Sequence, residues 1–137
     1  MKIYIYTLCI FFLHIGYSQV DTSKNVIIVN INMRSVTNTT PQILINGVLT
    51  PRLVYKSFVV QKENSDSIEI KIPYNNILLK KKEKIFHFSL KEKNNYFIYT
   101  YHGVIAVPFV EQVTGDDLVK LKKEEYVQTK IKEFGLE

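Results

Sequence analysis

The chain has 137 residues, with 18 lysines and arginines against 13 aspartates and glutamates, one cysteine and no tryptophan. That length holds one domain. A formal net charge of +5 falls short of what nucleic-acid binding calls for.

Met1-Lys2 gives a short basic start, and residues 3–15 are almost wholly apolar, interrupted by Thr7, Cys9 and His14. Gly16 and Ser18 then place small residues at the two positions a signal peptidase reads. This predicts a secretory signal peptide over residues 1–18, cleaved before Gln19. The apolar core is shorter than the ~20 residues a membrane span needs, and only a retained segment would act as an anchor. Cys9 follows Thr7-Leu8, which is not the small-residue context of a lipid-modified cysteine. The mature chain, residues 19–137, then has no cysteine. Disulfides, cysteine nucleophiles and thiolate metal sites are excluded. Losing Lys2 leaves 17 basic against 13 acidic residues, a net +4. That excess points to an anionic neighbour such as a membrane surface or cell-wall polymer. The expected location is outside the cytoplasm: periplasmic, cell-surface or secreted, with no transmembrane span after cleavage.

Residues 26–33, VIIVNINM, read as the first strand, with Ile27, Val29, Ile31 and Met33 on one apolar face. Residues 34–41 form a polar loop closed by Pro41; its Asn38-Thr39-Thr40 is read as loop rather than as a sugar acceptor. A short strand over 42–45 runs into Asn46-Gly47, a type I′ hairpin signal. Pro51 limits the returning arm, so the hairpin belongs at a sheet edge. Residues 53–61 are the next extended run, followed by a polar turn over 63–66. Residues 67–73 alternate, with Ile68, Ile70 and Ile72 inward. Residues 74–76 turn the chain, residues 77–79 are apolar but short, and Lys80-Lys81-Lys82-Glu83-Lys84 follows. Residues 85–90 alternate again, with Phe86, Phe88 and Leu90 inward and His87 and Ser89 outward. A hairpin-type turn over 92–95 leads to the longest apolar run after the N-terminus, residues 96–113. There Phe97, Tyr99 and Tyr101 share one face and Tyr96, Ile98, Thr100 and His102 the other. A strand apolar on both faces is covered on both, which places it centrally. Gly103 is the expected break. Residues 104–107 resume in extended form, and Pro108 restricts that segment to an edge, a bulge or a strand start.

After Val113 the pattern changes. Thr114 and Asp117 have capping-box spacing, Asp116 and Asp117 put negative charge at a helix N-terminus, and Gly135 is a stop. A helix over 116–134 is expected. On one helical wheel, however, Leu118 and Leu121 oppose Val127, Ile131 and Phe134. Two arrangements satisfy this. A bend at residues 124–126 would fold the second half back on the domain. Otherwise Val127, Ile131 and Phe134 face a partner. The fold class expected is mainly β: a small antiparallel β-sandwich or open barrel with a C-terminal helix, one domain over 19–137.

Residues 43–53, ILINGVLTPRL, resemble the opening of the PEGA-like domains of bacterial envelope proteins. The shared elements are the strand residues Ile43 and Ile45, the turn Asn46-Gly47, and Thr50-Pro51. Residues 95–121 resemble the end of a related group of small envelope proteins, through Tyr96-Phe97, Val110-Glu111-Gln112-Val113 and Gly115-Asp116-Asp117. The middle differs: a Lys-rich segment stands where those domains carry a Pro-Gly hairpin and a Gly-rich turn. The Tyr-Ser-Gln junction and an AT-rich-codon composition resemble bacteria of the bacteroidete type. The resemblance implies a β-sandwich with adhesive or scaffolding duties and no catalytic residues.

No motif opposes that expectation. His87 and His102 have no metal-ligand spacing, and no nucleophile elbow or phosphate-binding glycine loop is present. Glu111 with Asp116 and Asp117 could suggest paired acids, but helix capping accounts for the two aspartates without catalysis. No catalytic, metal or cofactor residues are expected. The candidate partner-binding residues are Lys80, Lys81, Lys82 and Lys84, as a contact for an anionic polymer or lipid headgroup where a solvated turn or guarded strand edge also accounts for them, and Val127, Ile131 and Phe134. The function expected is a non-catalytic interaction or structural module of the bacterial envelope, contacting an envelope protein or an anionic cell-surface polymer. A lipocalin-like carrier of an apolar ligand is the alternative, and a small hydrolase a distant third.

Overall fold

A computed structural model describes residues 20–31, 42–75, 80–100 and 107–137. The signal segment over 1–18, the loop over 34–41, the apolar stretch 77–79, and Tyr101, His102 and Gly103 lie outside the described residues. The described strands are β1 (Lys24–Asn30), β2 (Leu44–Ile45), β3 (Val48–Leu49), β4 (Ser57–Glu63), β5 (Ser67–Asn75), β6 (Lys81–Ser89), β7 (Asn94–Thr100) and β8 (Phe109–Val113). Two helices follow, α1 (Gly115–Lys123) and α2 (Glu125–Phe134). The strands form two four-stranded sheets, β4-β1-β7-β8 and β3-β2-β5-β6. The protein is mainly β, and among the described residues the two sheets stay open rather than closing into a barrel.

Three layers result. Val26 and Ile28 of β1 and Phe97 and Tyr99 of β7 face the second sheet, where they meet Ile45, Ile68, Ile70 and Ile72. On the other face Ile27, Val29 and Tyr96 pack with Leu121, Val127 and Leu136 from the helical end of the chain. β1 and β7 are therefore covered on both faces, as their unbroken apolar sequences require. Asn30, 2% exposed, ends β1 with its Nδ2 donating to the Leu53 carbonyl at 2.8 Å. That bond offsets the cost of burying an amide.

Several expectations change. The first sheet is mixed, because β1 and β7 run parallel, with Ile27 beside Tyr96. Residues 92–95 consequently do not make a hairpin: they carry the chain from β6 in one sheet to β7 in the other. Asn95 fixes this crossing, donating to the Glu92 carbonyl at 2.6 Å and accepting from the Glu92 N–H at 3.3 Å. β1 begins two residues earlier than its apolar pattern and ends at Asn30. β4 starts at Ser57 rather than Leu53, because Lys56 turns the chain with φ +57° and the Ser57 N–H bonds the Val54 carbonyl. β5 runs on to Asn75, and β6 starts within the lysines, where Lys81 pairs with Asn75. β8 starts at Phe109, directly after Pro108, and is an edge strand.

The helix expected over 116–134 is two helices. Glu124 leaves the helical region (φ −60°, ψ 123°) and its N–H bonds the Leu121 carbonyl. The break rotates the second half, so that Leu121 and Val127 both reach the same sheet face. Thr114 precedes α1 without a side-chain cap bond; Asp117 pairs with Lys120 at 3.1 Å instead. α2 ends as the sequence predicts. Gly135 has φ +62°, its N–H bonds Lys132, and the Leu136 N–H bonds Ile131 at 3.0 Å. This is a Schellman close, with Leu136 buried against the helix it ends.

The hairpin is as expected. Asn46 has φ +47° and Gly47 φ +80°, the pair of positive values a type I′ turn needs. Asn46 also bridges three elements: its Oδ1 accepts from Glu69 N at 2.8 Å, its N–H donates to Glu69 O at 2.9 Å, and its Nδ2 donates to Glu63. A Cβ at Gly47 would meet nothing within 4 Å, so substitution there costs backbone strain alone. Gly47→Val is expected to destabilise the protein by at least ~1 kcal/mol, because a β-branched residue resists positive φ. Urea midpoints of the two proteins measure this, and equal midpoints would contradict it.

Candidate interaction edges

Each sheet ends in two strands, and side chains close one flank of the sandwich. Phe86 of β6 meets Phe109 of β8 edge-on at 5.8 Å, and Gln112 Nε2 donates to the Ser89 carbonyl at 3.2 Å. On the opposite flank β3 lies over β4. There Gln61 Nε2 reaches the Ile45 carbonyl at 3.3 Å, but a groove of about 720 Å³ stays open, lined by Val48, Leu49, Pro51, Val59, Gln61 and Lys62 among others. Val48 and Leu49 are 57% and 55% exposed beside it.

The four outer strands differ in how they deter another chain from pairing with them. β3 has two residues, with Pro51 shortly after it. β8 follows Pro108 and carries Glu111 at its centre. β6 carries Lys81, Lys82, Glu83 and Lys84 along one half. β4 has an uncharged middle, Phe58-Val59-Val60-Gln61, and its charges Lys62 and Glu63 sit at one end. It pairs only with β1, and its outer side carries no strand among the described residues.

The expected partner-binding residues are distributed as follows. Lys80 immediately precedes β6, and Lys81, Lys82 and Lys84 belong to it. Register separates the last three: Lys82 and Lys84 lie opposite Tyr74 and Ile72, while Lys81 lies opposite Asn75 on the other face. Lys84 is not a free cation in water. Its Nζ sits 5.3 Å from the Phe86 ring and 5.5 Å from the Phe109 ring, an arrangement worth ~0.5–1 kcal/mol at exposed sites. The stripe expected on the second half of the helix is not presented as one face. Val127 is fully buried in the domain's own core and Ile131 is half-buried against it. Phe134, 47% exposed, stacks on Phe58 of β4 at 5.7 Å.

His87 is exposed opposite Glu69, and His102 lies outside the described residues. Glu111, Asp116 and Asp117 are exposed. Among the described residues no three His, Cys, Asp or Glu side chains converge in a way that could hold a metal ion. Near the chain's entry, Asp21 accepts from Ser23 N at 3.0 Å and pairs with Lys62 at 3.3 Å. The Ser23 hydrogen bonds, and then Lys62, hold its carboxyl down at about 2. Lys24 likewise pairs with Asp66 at 2.5 Å. These contacts seat residues 21–24 beside the end of β4.

Sequence reasoning missed the β3–β4 flank. The only signal for it was the missing charge in the middle of residues 57–61, and that matters only once β4 is known to be an edge. No protein-family model matches the chain, and no curated protein or solved structure matches it either.

Proposed function

We propose that the chain is an exported, non-catalytic β-domain that serves as an interaction or structural module of the bacterial cell envelope. The observation that carries this reading is the open β3–β4 flank, an edge strand with an uncharged middle beside a groove lined by apolar and polar side chains. A free edge offers main-chain hydrogen bonds to an extended segment, and the groove supplies side-chain contacts. The signal-peptide pattern of residues 1–18 and the likeness to PEGA-like domains support the envelope setting. The carrier alternative gains no support, because Ile45, Ile68, Ile70, Ile72 and Phe97 fill the space between two open sheets.

Two measurements test the proposal. N-terminal sequencing of the exported protein is expected to start at Gln19; an intact Met1 in the envelope fraction would make residues 3–15 an anchor. A photoreactive residue in place of Val48 is expected to give a discrete cross-linked adduct in cells. The same residue in place of Val119, 53% exposed on α1, is expected to give none. Absence of any adduct from position 48 would overturn the interaction reading.

A further inference from the structure

We infer that the occupant of the β4 edge is the β4 strand of a second copy of this chain, paired antiparallel about a two-fold axis at Val60. The inference rests on the interaction reading above and names its partner. β4 is seven residues long, SFVVQKE, and pairs on one side only among the described residues. Its charge pattern selects the orientation. With Val60 opposite Val60 of the second copy, Val59 falls opposite Gln61, Phe58 opposite Lys62 and Ser57 opposite Glu63. No like charges meet, and each Lys62 lies beside an aromatic ring, a favourable pairing across strands. Parallel pairing in register would instead set Lys62 against Lys62 and Glu63 against Glu63.

The surroundings fit an added strand. Phe58 and Val60 face the helical layer, where Phe134 stacks on Phe58 yet stays 47% exposed. Val59 faces the sandwich interior, beneath the groove that Val48 and Leu49 line. A neighbouring strand would thus cover apolar surface on both of its faces. The axis makes the contact isologous, so it closes as a dimer and does not propagate into a filament. The two first sheets would join into one.

Sedimentation equilibrium of the exported protein over a range of concentrations tests this. The expected result is a monomer–dimer equilibrium. Ser57→Glu sets a glutamate against Glu63 at both ends of the seam, and Ser57→Lys sets a lysine there. Cross-strand charge pairs of this kind, counted twice, are expected to raise the dimer dissociation constant about two- to thirty-fold for Ser57→Glu and to lower it about as much for Ser57→Lys. Tightening by Ser57→Lys cannot arise from a damaged fold. Val119→Lys is expected to change nothing. A monomer at every concentration, or a dimer indifferent to both Ser57 variants, overturns the inference. If the chain is monomeric and position 48 still cross-links to a different envelope protein, this inference falls and the proposed function stands. If it is monomeric and position 48 gives no adduct, both fall.

Discussion

A chain ending after Glu125 is expected to melt far below the full protein, with no change in size at dilute concentration. The deletion removes Val127 and Leu136, which are 0% and 6% exposed, each worth ~1.5–3 kcal/mol of burial. It also strips cover from Ile27, Val29 and Tyr96 on the helical face of the first sheet and removes the ring stacked on Phe58. The summed loss is several kcal/mol, comparable with the ~5–15 kcal/mol total stability of an ordinary domain. Thermal melting followed by circular dichroism, with sizing alongside, reads the outcome. An unchanged melting temperature would mean that α2 merely rests on the sheet.

Phe97→Ala is expected to cost ~3–5 kcal/mol, the range for deleting a buried phenylalanine. Phe97 is fully buried, points into the sandwich core and meets Phe88 at 5.0 Å, inclined at 60°. Ile85→Ala is the internal comparison. Ile85 is 45% exposed on the outer face of β6, and its truncation is expected to stay within ~0.5 kcal/mol, as surface changes do. Urea unfolding of both variants measures the difference. Equal losses would show that the second sheet's outer face is covered too.

Side-chain alternation made the faces of the strands legible in advance. Ile68, Ile70 and Ile72 are buried as their spacing requires, and Phe97 and Tyr96 part to opposite faces of β7. The Asn46-Gly47 turn also followed from backbone chemistry that acts within a few residues, and Pro108 left an edge, a bulge or a strand start open, of which β8 is an edge strand starting just after it. Neighbours in the sheets were not legible. A period of two says which face a residue occupies but not which strand lies beside it, so the parallel β1–β7 seam and the crossing at residues 92–95 could not be read. The lysines of β6 fitted either a solvated turn or a guarded strand edge, because charge disfavours only a buried strand. The edge is what forms: β6 is an outer strand, and pairing with β5 carries it through the lysines. The helix break was foreshadowed by the two opposed apolar sets, Leu118 and Leu121 against Val127, Ile131 and Phe134, although the wheel alone also allowed a partner-facing stripe. The β3–β4 flank depends on which strands end their sheets, a property of the whole topology.

The β1–β7 seam also sets a timetable for folding. β1 is the first described strand and is apolar on both sides, and the strand that seals one of its edges is the seventh. Bringing Ile27 beside Tyr96 closes about half of the chain into a loop, and such long-range pairing lowers the folding rate. A chain emerging N-terminus first could pair β1 with β4 once residue 63 was out, yet would leave the other edge of this doubly apolar strand open until residue 100 had emerged. The hazard of aggregation is greatest over that interval, and it ends when β7 docks.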